Sequence, residues 1–402
     1  MLDDDTTGKS RFAIMHQIHS ARVIGSQVPD DKSFGIAGRL IGPDYPVYIV
    51  AELSANHNQE FQRAIELVHT AKELGADAVK LQTYTPDTIT ISSDHECFRI
   101  GGGTLWDGRT LHELYQEAHT PWEWQPKLKE VADEIGIHLF SSPFDASAVD
   151  FLETLPVPAY KLASCELVDI PLIQKLGTTG KPLIMSTGMA TLEEVEEAIA
   201  TARAMGAKQI ALLKCTSAYP APADEMNLRT IPELARRFRV PVGVSDHTKG
   251  IAVPIAAVAL GACIIEKHLT LSRASGGPDA EFSLEPEAFR EMVEAVRVAE
   301  KALGSPQFGP TTHEETSHRF RRSLFVVRDM KEGELFSTEN VRSIRPAEGL
   351  HTRYLQQILG KRAVRPIARG TPMTWDLITE TQTQDNSVSG FTEPMCVDRV
   401  PR

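Results

Sequence analysis

The chain has 402 residues, 42% hydrophobic and 24% charged, an ordinary balance for a globular protein and long enough to form two domains rather than one. Forty-two Lys and Arg against 54 Asp and Glu leave a net charge of −12. That argues against general affinity for nucleic acid or an anionic membrane, yet it leaves room for a basic pocket inside an acidic protein.

Residues 1–33 are polar and without period, which implies a flexible extension. A repeating pattern then begins. Short apolar, β-branched runs predict strands over Val47–Leu53, Ala78–Gln82, Ile137–Ser141, Ala159–Ala163, Pro182–Ser186, Ile210–Cys215, Pro241–Ser245 and Ala262–Glu266. Amphipathic stretches between them, among them Phe61–Leu74, Pro121–Ile135, Leu192–Met205 and Pro254–Leu260, predict helices. Glycines at 75, 136, 180, 206 and 261 stand at the helix-to-strand turns, where a left-handed C-cap is needed. Strands alternating with helices imply right-handed parallel βαβ units, and an eight-fold count fits a (β/α)8 TIM barrel over residues 34–304. The segment Tyr84–Thr120 interrupts the rhythm and reads as an elaborated loop over the barrel mouth. Glu285–Leu303 is a closing helix, and 305–320 reads as a linker rich in Gly, Pro, Thr and Ser. Residues 321–380 then change composition: Ser323–Val327, the turn at Lys331, Val341–Ile344 and the run from Leu359 to Arg362 imply a compact β-rich module of roughly 60 residues. Residues 381–402 read as a disordered tail.

Five cysteines, at 97, 165, 215, 263 and 396, are odd in number, scattered and free of CxxC pairs, as in a cytoplasmic protein with reduced thiols. No apolar run reaches the length of about eighteen residues that a membrane helix needs. The acidic start Met1-Leu-Asp-Asp-Asp does not read as a signal peptide.

Active sites of such barrels gather at the C-terminal ends of the strands. Every predicted strand ends in polar residues: Glu52 with Asn56-His57-Asn58; Lys80 and Gln82; Ser141 to Asp145; Lys161, Ser164 and Glu166; Ser186-Thr187-Gly188; Lys214 to Tyr219; Ser245-Asp246-His247; and Glu266-Lys267-His268. His247 and His268 on neighbouring strand ends suit a divalent metal, with Glu52 near and water completing the shell; the plainer alternative is two hydrogen-bonded core histidines. Lys80, Lys161, Lys214 and Lys267 stand where strand ends are buried, so a bound anion would account for them, helped by the hydroxyls of Ser164, Ser186 and Ser245. Ion pairing with Glu52, Glu166 and Glu266 is the alternative, and a Schiff-base lysine a further one. Asp279 in the loop after the eighth strand could hold a sugar hydroxyl. Trp106, Trp122 and Trp124 could stack on a sugar or simply pack the loop.

The runs Ile49-Val-Ala-Glu-Leu-Ser-Ala-Asn-His-Asn, Lys80-Leu-Gln-Thr-Tyr, Ser141-Ser-Pro-Phe-Asp, Lys161-Leu-Ala-Ser-Cys-Glu, Ser186-Thr-Gly-Met-Ala, Cys215-Thr-Ser-Ala-Tyr-Pro-Ala-Pro, Ser245-Asp-His-Thr, Glu266-Lys-His and Gly277-Pro-Asp resemble the sialic acid synthase family. The module at 321–380 resembles the antifreeze-like (SAF) domain that follows the barrel in that family; Arg345-Pro346 matches its sugar-facing arginine motif, with Ala347 where glycine is common. Glu52-Leu-Ser-Ala, Gly103-Thr-Leu-Trp-Asp-Gly and Asp279-Ala-Glu-Phe-Ser resemble the pseudaminic acid branch more than the N-acetylneuraminate or legionaminate branches.

The resemblance implies condensation of phosphoenolpyruvate with an open-chain acetamido sugar, 2,4-diacetamido-2,4,6-trideoxy-altrose in the pseudaminic branch. A divalent metal, Mn²⁺ with Mg²⁺ or Co²⁺ as alternatives, would sit on His247 and His268 and polarise the aldehyde. Lys80, Lys161, Ser164, Ser186 and Ser245 would hold phosphoenolpyruvate, Glu52 would handle the proton of the attacking water, and Glu166, Tyr219, Asp279 and Arg345 would hold the sugar. The resemblance also implies a domain-swapped homodimer in which Arg345 reaches the other barrel. A class II aldolase, a metal-dependent hydrolase or a non-catalytic carbohydrate binder would explain the histidines or the C-terminal module alone, but not both together with the lysines and serines.

Overall fold

The computed structural model describes residues 33–379. The expected N-terminal extension, save its last residue, and the expected tail with Cys396 lie outside the described residues. The chain divides into two compact units between Gly304 and Ser305.

The first unit opens with a hairpin, β1 (Phe34–Ile36) paired antiparallel to β2 (Arg39–Ile41). Eight parallel strands follow: β3 (Tyr48–Glu52), β4 (Ala78–Thr83), β5 (His138–Pro143), β6 (Tyr160–Leu162), β7 (Leu183–Ser186), β8 (Ile210–Cys215), β9 (Val242–Asp246) and β10 (Ile264–His268). They close in chain order, β10 pairing with β3, into the barrel that the eight-fold alternation predicts. The outer helices are α1 (Phe61–Glu73), α4 (Gln125–Ile135), α5 (Ala146–Glu153), α6 (Ile170–Thr178), α7 (Leu192–Ala204), α8 (Thr230–Phe238), α9 (Ala252–Ala259) and α10 (Pro286–Leu303). Local chemistry sets their starts. Thr191 and Glu194 form a capping box on α7, Asp145 accepts from Ser147 and Ala148 at the head of α5, and α10 begins on Pro286. The helix expected from Pro121 starts instead as a tighter turn, Trp122–Trp124, and becomes α-helical at Gln125. The expected mouth loop carries two short helices, α2 (Pro86–Ile89) and α3 (Leu111–Ala118).

Strand alternation divides the barrel residues into two sets. One set, including Ile49, Ala51, Val79, Leu81 and Leu139, packs against the helices. The other points inward and changes character along the axis. Tyr48, Val50, Ala78, Phe140, Ile184, Leu213 and Ile264 make an apolar lower layer, sealed from below by Phe34, Ile36 and Ile41 of the hairpin. One or two steps further along the same strands come Glu52, Lys80, Ser186, Cys215 and Glu266. Asp77 anchors the floor: it accepts from the Ile49 amide at 2.8 Å and pairs with Arg39 of β2 and with Arg297 at 3.3 Å.

The second unit pairs β11 (Ser323–Val326) antiparallel with β12 (Val341–Ile344) and, among the described residues, carries one short α-helix, α11 (Leu355–Ile358). Leu324, Val326, Phe336, Val341, Ile358 and Met373 form its core. Isolated bridges such as Leu335 to Arg362 and Ala363 to Ile378 replace longer strands. Among the described residues no helix is long and apolar enough to cross a membrane.

Gly243, inside β9, marks how tightly the barrel interior is filled. A β-carbon there would press on the Ile264 carbonyl and lie 2.6 Å from Ile264 Cβ and 2.8 Å from Leu213 Cδ2. Backbone cannot yield as a flexible side chain can, so Gly243→Ala is expected to cost about 1–3 kcal/mol. Chemical or thermal unfolding of the purified variant checks this; a stability equal to wild type would contradict the close fit.

Candidate active site

The C-terminal strand ends enclose a cavity of about 300 Å³, its wall including Lys80, Lys161, Ser164, Glu166, Ser186, Tyr219, Ser245, His247, Glu266, His268 and Asp279. Its deep end is a buried charge network. Lys80 Nζ lies 2.8 Å from Glu52 Oε2 and 3.3 Å from Glu266 Oε1, and Lys161 Nζ lies 3.8 Å from the same Glu266 oxygen. Ser245 Oγ donates to Glu266 at 2.9 Å, and Lys161 donates to Ser186 Oγ at 2.7 Å and to the Leu162 carbonyl at 3.1 Å. Gln82 donates to Glu52 Oε1 at 3.2 Å and to Ser54 at 3.0 Å.

Burial and charge pull the members of this network in opposite directions. Burial works to raise the Glu266 carboxyl, but Lys161, Lys80 and the Ser245 hydroxyl overcome it and hold the pKa at about 2. Glu52 goes the other way: burial lifts it, the charge on Glu266 adds to the lift, and Lys80 only partly offsets them. Burial alone would push Lys80 down, yet Glu266 and Glu52 keep it charged. Lys161 is lowered by burial against the pull of Glu266. Lys80, held charged, and Lys161 thus share the ionised Glu266, while burial favours the neutral forms of Glu52 and Lys161 alike. The carboxylates hold the ammonium groups in place, so ion pairing is the observed arrangement and an anion would have to share the lysines with Glu266.

Beside the network stand the two histidines, ring centroids 5.3 Å apart. His247 Nδ1 faces the Thr216 carbonyl at 3.0 Å, so in the neutral ring Nδ1 carries the proton and Nε2 the lone pair. Cys215 Sγ lies 3.9 Å from the same Nδ1. Burial, together with His247 and Lys80, drives the His268 pKa far down, so its ring is neutral, and its Nδ1 is buried without a hydrogen-bond partner. A neutral ring with an orphaned nitrogen and a neighbour with a free lone pair fit a borderline divalent cation. Among the described residues no group of three or more His, Cys, Asp or Glu is placed to hold a metal, which leaves these two imidazoles as the candidate donors.

The outer part of the cavity holds the residues expected to meet a sugar. Glu166 follows β6 in a short turn; burial raises its carboxyl to about 7, and its Oε2 has no partner. Tyr219 packs 4.5 Å from the His247 ring and 5.3 Å from Phe282. Asp279 accepts from Ser54 Oγ and from the Ala55 amide, tying the loop after β10 to the loop after β3. Gly188 has φ +46°, and a β-carbon there would collide with Ser164 and lie 2.8 Å from Ser217 Oγ. Only glycine lets the loops after β6, β7 and β8 converge so closely. Arg345 belongs to the second unit, exposed just after β12.

Two of the four expected anion-binding lysines point elsewhere. Lys214 precedes the inward Cys215 by one residue and donates to the Cys215 carbonyl at 2.6 Å. Lys267 lies between the inward Glu266 and His268, and is sealed among the helices in an ion pair with Asp246 at 2.6 Å. Alternation places both on the outer face. The tryptophans also divide. Trp122 stacks on Phe151, and Trp124 packs against Phe61 and His57. Trp106 lines the cavity, donating from Nε1 to the Pro278 carbonyl at 3.0 Å. His57 accepts from the Gln59 amide and faces Thr120, and burial lowers its pKa to about 4, so it is a structural tie. Tyr84, Ile89, Leu114, Tyr115 and Phe144 also line the cavity. Tyr84 and Phe144 stand in the family motifs, but none of the five is assigned to the site from the sequence, because four of them lie on an irregular insertion with no strand period to assign their facing.

Comparison with known proteins agrees with this geometry. Residues 67–308 match the NeuB family and residues 321–379 match the SAF domain. The pseudaminic acid synthase of Helicobacter pylori is 45% identical over 82% of this chain and 97% of its own length. The N,N'-diacetyllegionaminic acid synthase of Legionella pneumophila is 37% identical over 84% and 96%. Among solved structures, the N-acetylneuraminic acid synthetase of Leptospira borgpetersenii superposes with a TM-score of 0.64 at 30% identity, covering 71% of this chain and 94% of that one. With a family model spanning most of the barrel and such relatives matched over nearly their whole length, the chain belongs to the NeuB family.

Proposed function

We propose that this protein is a pseudaminic acid synthase, condensing phosphoenolpyruvate with 2,4-diacetamido-2,4,6-trideoxy-β-L-altropyranose and water to give pseudaminate and phosphate. The observation that carries the reading is the buried Lys80–Glu266–Lys161 network with its serine hydroxyls, set directly beside His247 and His268 in one cavity. The 45% identity to the Helicobacter pylori pseudaminic acid synthase supports the choice of sugar over the legionaminate and N-acetylneuraminate alternatives.

In this reading Lys80, Lys161, Ser164, Ser186 and Ser245 bind the phosphate and carboxylate of phosphoenolpyruvate through charge-assisted hydrogen bonds. A divalent metal held by His247 and His268, Mn²⁺ with Mg²⁺ or Co²⁺ as alternatives, would supply Lewis-acid polarisation of the sugar aldehyde. C3 of phosphoenolpyruvate then forms a bond to the aldehyde carbon, whose oxygen takes up a proton, and C2 becomes an oxocarbenium. Water adds at C2, its proton passing to Glu52, and the C2–O bond to phosphate breaks. Burial raises the Glu52 carboxyl, which makes its ionised form a stronger base for that proton and its protonated form an acid that can return it. Glu166, Tyr219 and Asp279 hold the sugar. Arg345 is proposed to reach it from a second copy in a domain-swapped homodimer, and the enzyme to work in the cytoplasm.

The test is phosphate release with Mn²⁺, phosphoenolpyruvate and a panel of the altro sugar, its manno isomer and N-acetylmannosamine, each repeated with EDTA. Metal-dependent release with the altro sugar alone is expected. Preference for another sugar would move the protein to a sister activity, and no release from folded, metal-loaded enzyme would sink the synthase reading. Lys161→Met is expected to lower kcat/KM for phosphoenolpyruvate roughly 30- to 1000-fold, the range for removing one member of a buried charge pair.

A second expectation follows from Glu166. Its folded pKa of about 7 lies above the ordinary 4.5, with burial opposed by Lys161 and Lys80 and aided by Asp169. The carboxyl therefore costs no stability below about pH 4.5, and the cost grows until about pH 7 and stays constant above it. In the substrate-free protein, Glu166→Gln should stabilise by on the order of 2 kcal/mol at pH 8, allowing for partial exposure, and by clearly less at pH 5. Urea unfolding at the two pH values decides; a gain that does not depend on pH would contradict the raised carboxyl.

A further inference from the structure

The cavity has a second face that the proposed chemistry leaves unused. Tyr84 directly follows β4 and Phe144 directly follows β5, their rings set edge to face 5.1 Å apart; Tyr84 meets Tyr115 of α3 in the same way at 5.5 Å. Ile89 ends α2. Leu114 and Ala118 lie four residues apart on α3 and so share one helix face. All six line the cavity, none is charged, and none belongs to the hydrophobic clusters that pack the barrel. Ile89, Tyr115 and Ala118 remain partly exposed. Three aliphatic side chains thus line the cavity beside its polar deep end, and none of them belongs to the clusters that pack the barrel.

We infer that this wall is the specificity face of the sugar site: Ile89, Leu114 and Ala118 receive the C6 methyl of the 6-deoxy sugar and reject a C6 hydroxyl. The inference rests on the proposed synthase reading. Lysines, serines and histidines occupy the deep end, so the sugar carbonyl must point there and its remaining carbons must face the insertion. A methyl against Leu114 and Ala118 leaves water for an apolar contact. A hydroxyl in the same place gives up its water without a partner, because the only polar side-chain atoms of the six are the Tyr84 and Tyr115 phenol oxygens. Rejection of an added hydroxyl by an apolar pocket amounts to roughly a hundredfold at most.

The experiment compares kcat/KM, by phosphate release, for two sugars that differ only at C6, one 6-deoxy and one 6-hydroxy. Wild type is expected to prefer the 6-deoxy sugar by about 10- to 100-fold. Ala118→Ser and Leu114→Thr each place a hydroxyl on the wall and are expected to shrink that preference by roughly fivefold or more, with KM for phosphoenolpyruvate unchanged. Ala118→Ser is small and partly exposed, so it keeps the test open where Leu114→Thr fails to fold. A folded, active Ala118→Ser enzyme with the wild-type preference overturns the inference and leaves the synthase reading standing. Absence of phosphate release by wild type with every sugar overturns both.

Discussion

Two lysines sharing one carboxylate at the centre of the barrel is the constraint around which the rest is arranged. Glu266 Oε1 is within 3.3 Å of Lys80 and 3.8 Å of Lys161, and all three side chains are almost fully buried. Charges so placed cost several kcal/mol each to desolvate, and removing one partner would leave the others uncompensated at a cost of about 3–5 kcal/mol. An apolar filling would serve stability as well or better. What the network achieves is position: ammonium groups fixed in advance, with the Ser186 hydroxyl bonded to Lys161 and the Ser245 hydroxyl to Glu266, need little reorganisation to meet an anion. The apolar layer below, closed by Phe34, Ile36 and Ile41, excludes water from that end and gives the charges their strength.

Barrel and strand ends were readable from the sequence because the parallel strands are buried on both faces and the turn glycines are regular. Ile210–Cys215 coincides with β8, and the other strands agree to within a few residues. Site membership was less readable, and Lys214 and Lys267 show why. Each sits at a strand end beside a residue that does enter the cavity, and a single step of sequence reverses the direction of a side chain. The period-two argument was available: Ser245 and His247 on β9, and Glu266 and His268 on β10, share one parity that excludes Lys267. The opening hairpin was not legible, since three-residue strands carry too little alternation to register. Nor was the facing of Ile89, Leu114 and Tyr115, which depends on how the 84–120 insertion folds back over the mouth.

The lysine that the parity argument removes from the cavity still bears on it. Lys267 is wholly enclosed, pairs with Asp246 at 2.6 Å and also donates to the Thr248 carbonyl. Asp246 in turn accepts from the Thr248 amide at 2.9 Å. These bonds lie on the outer face of β9 and β10, directly behind His247 and His268, and lock the backbone on both sides of His247 to the strand that carries His268. An imidazole is aimed by its backbone and one hydrogen bond, and His247 has both, the second donated to the Thr216 carbonyl of the neighbouring strand end. The same strand positions thus serve two layers: the inward residues present charge and nitrogen to a ligand, and the outward ones, equally polar and equally buried, hold the spacing between them. Polar residues crowd every strand end of this barrel because chemistry on one face requires a bonded frame on the other.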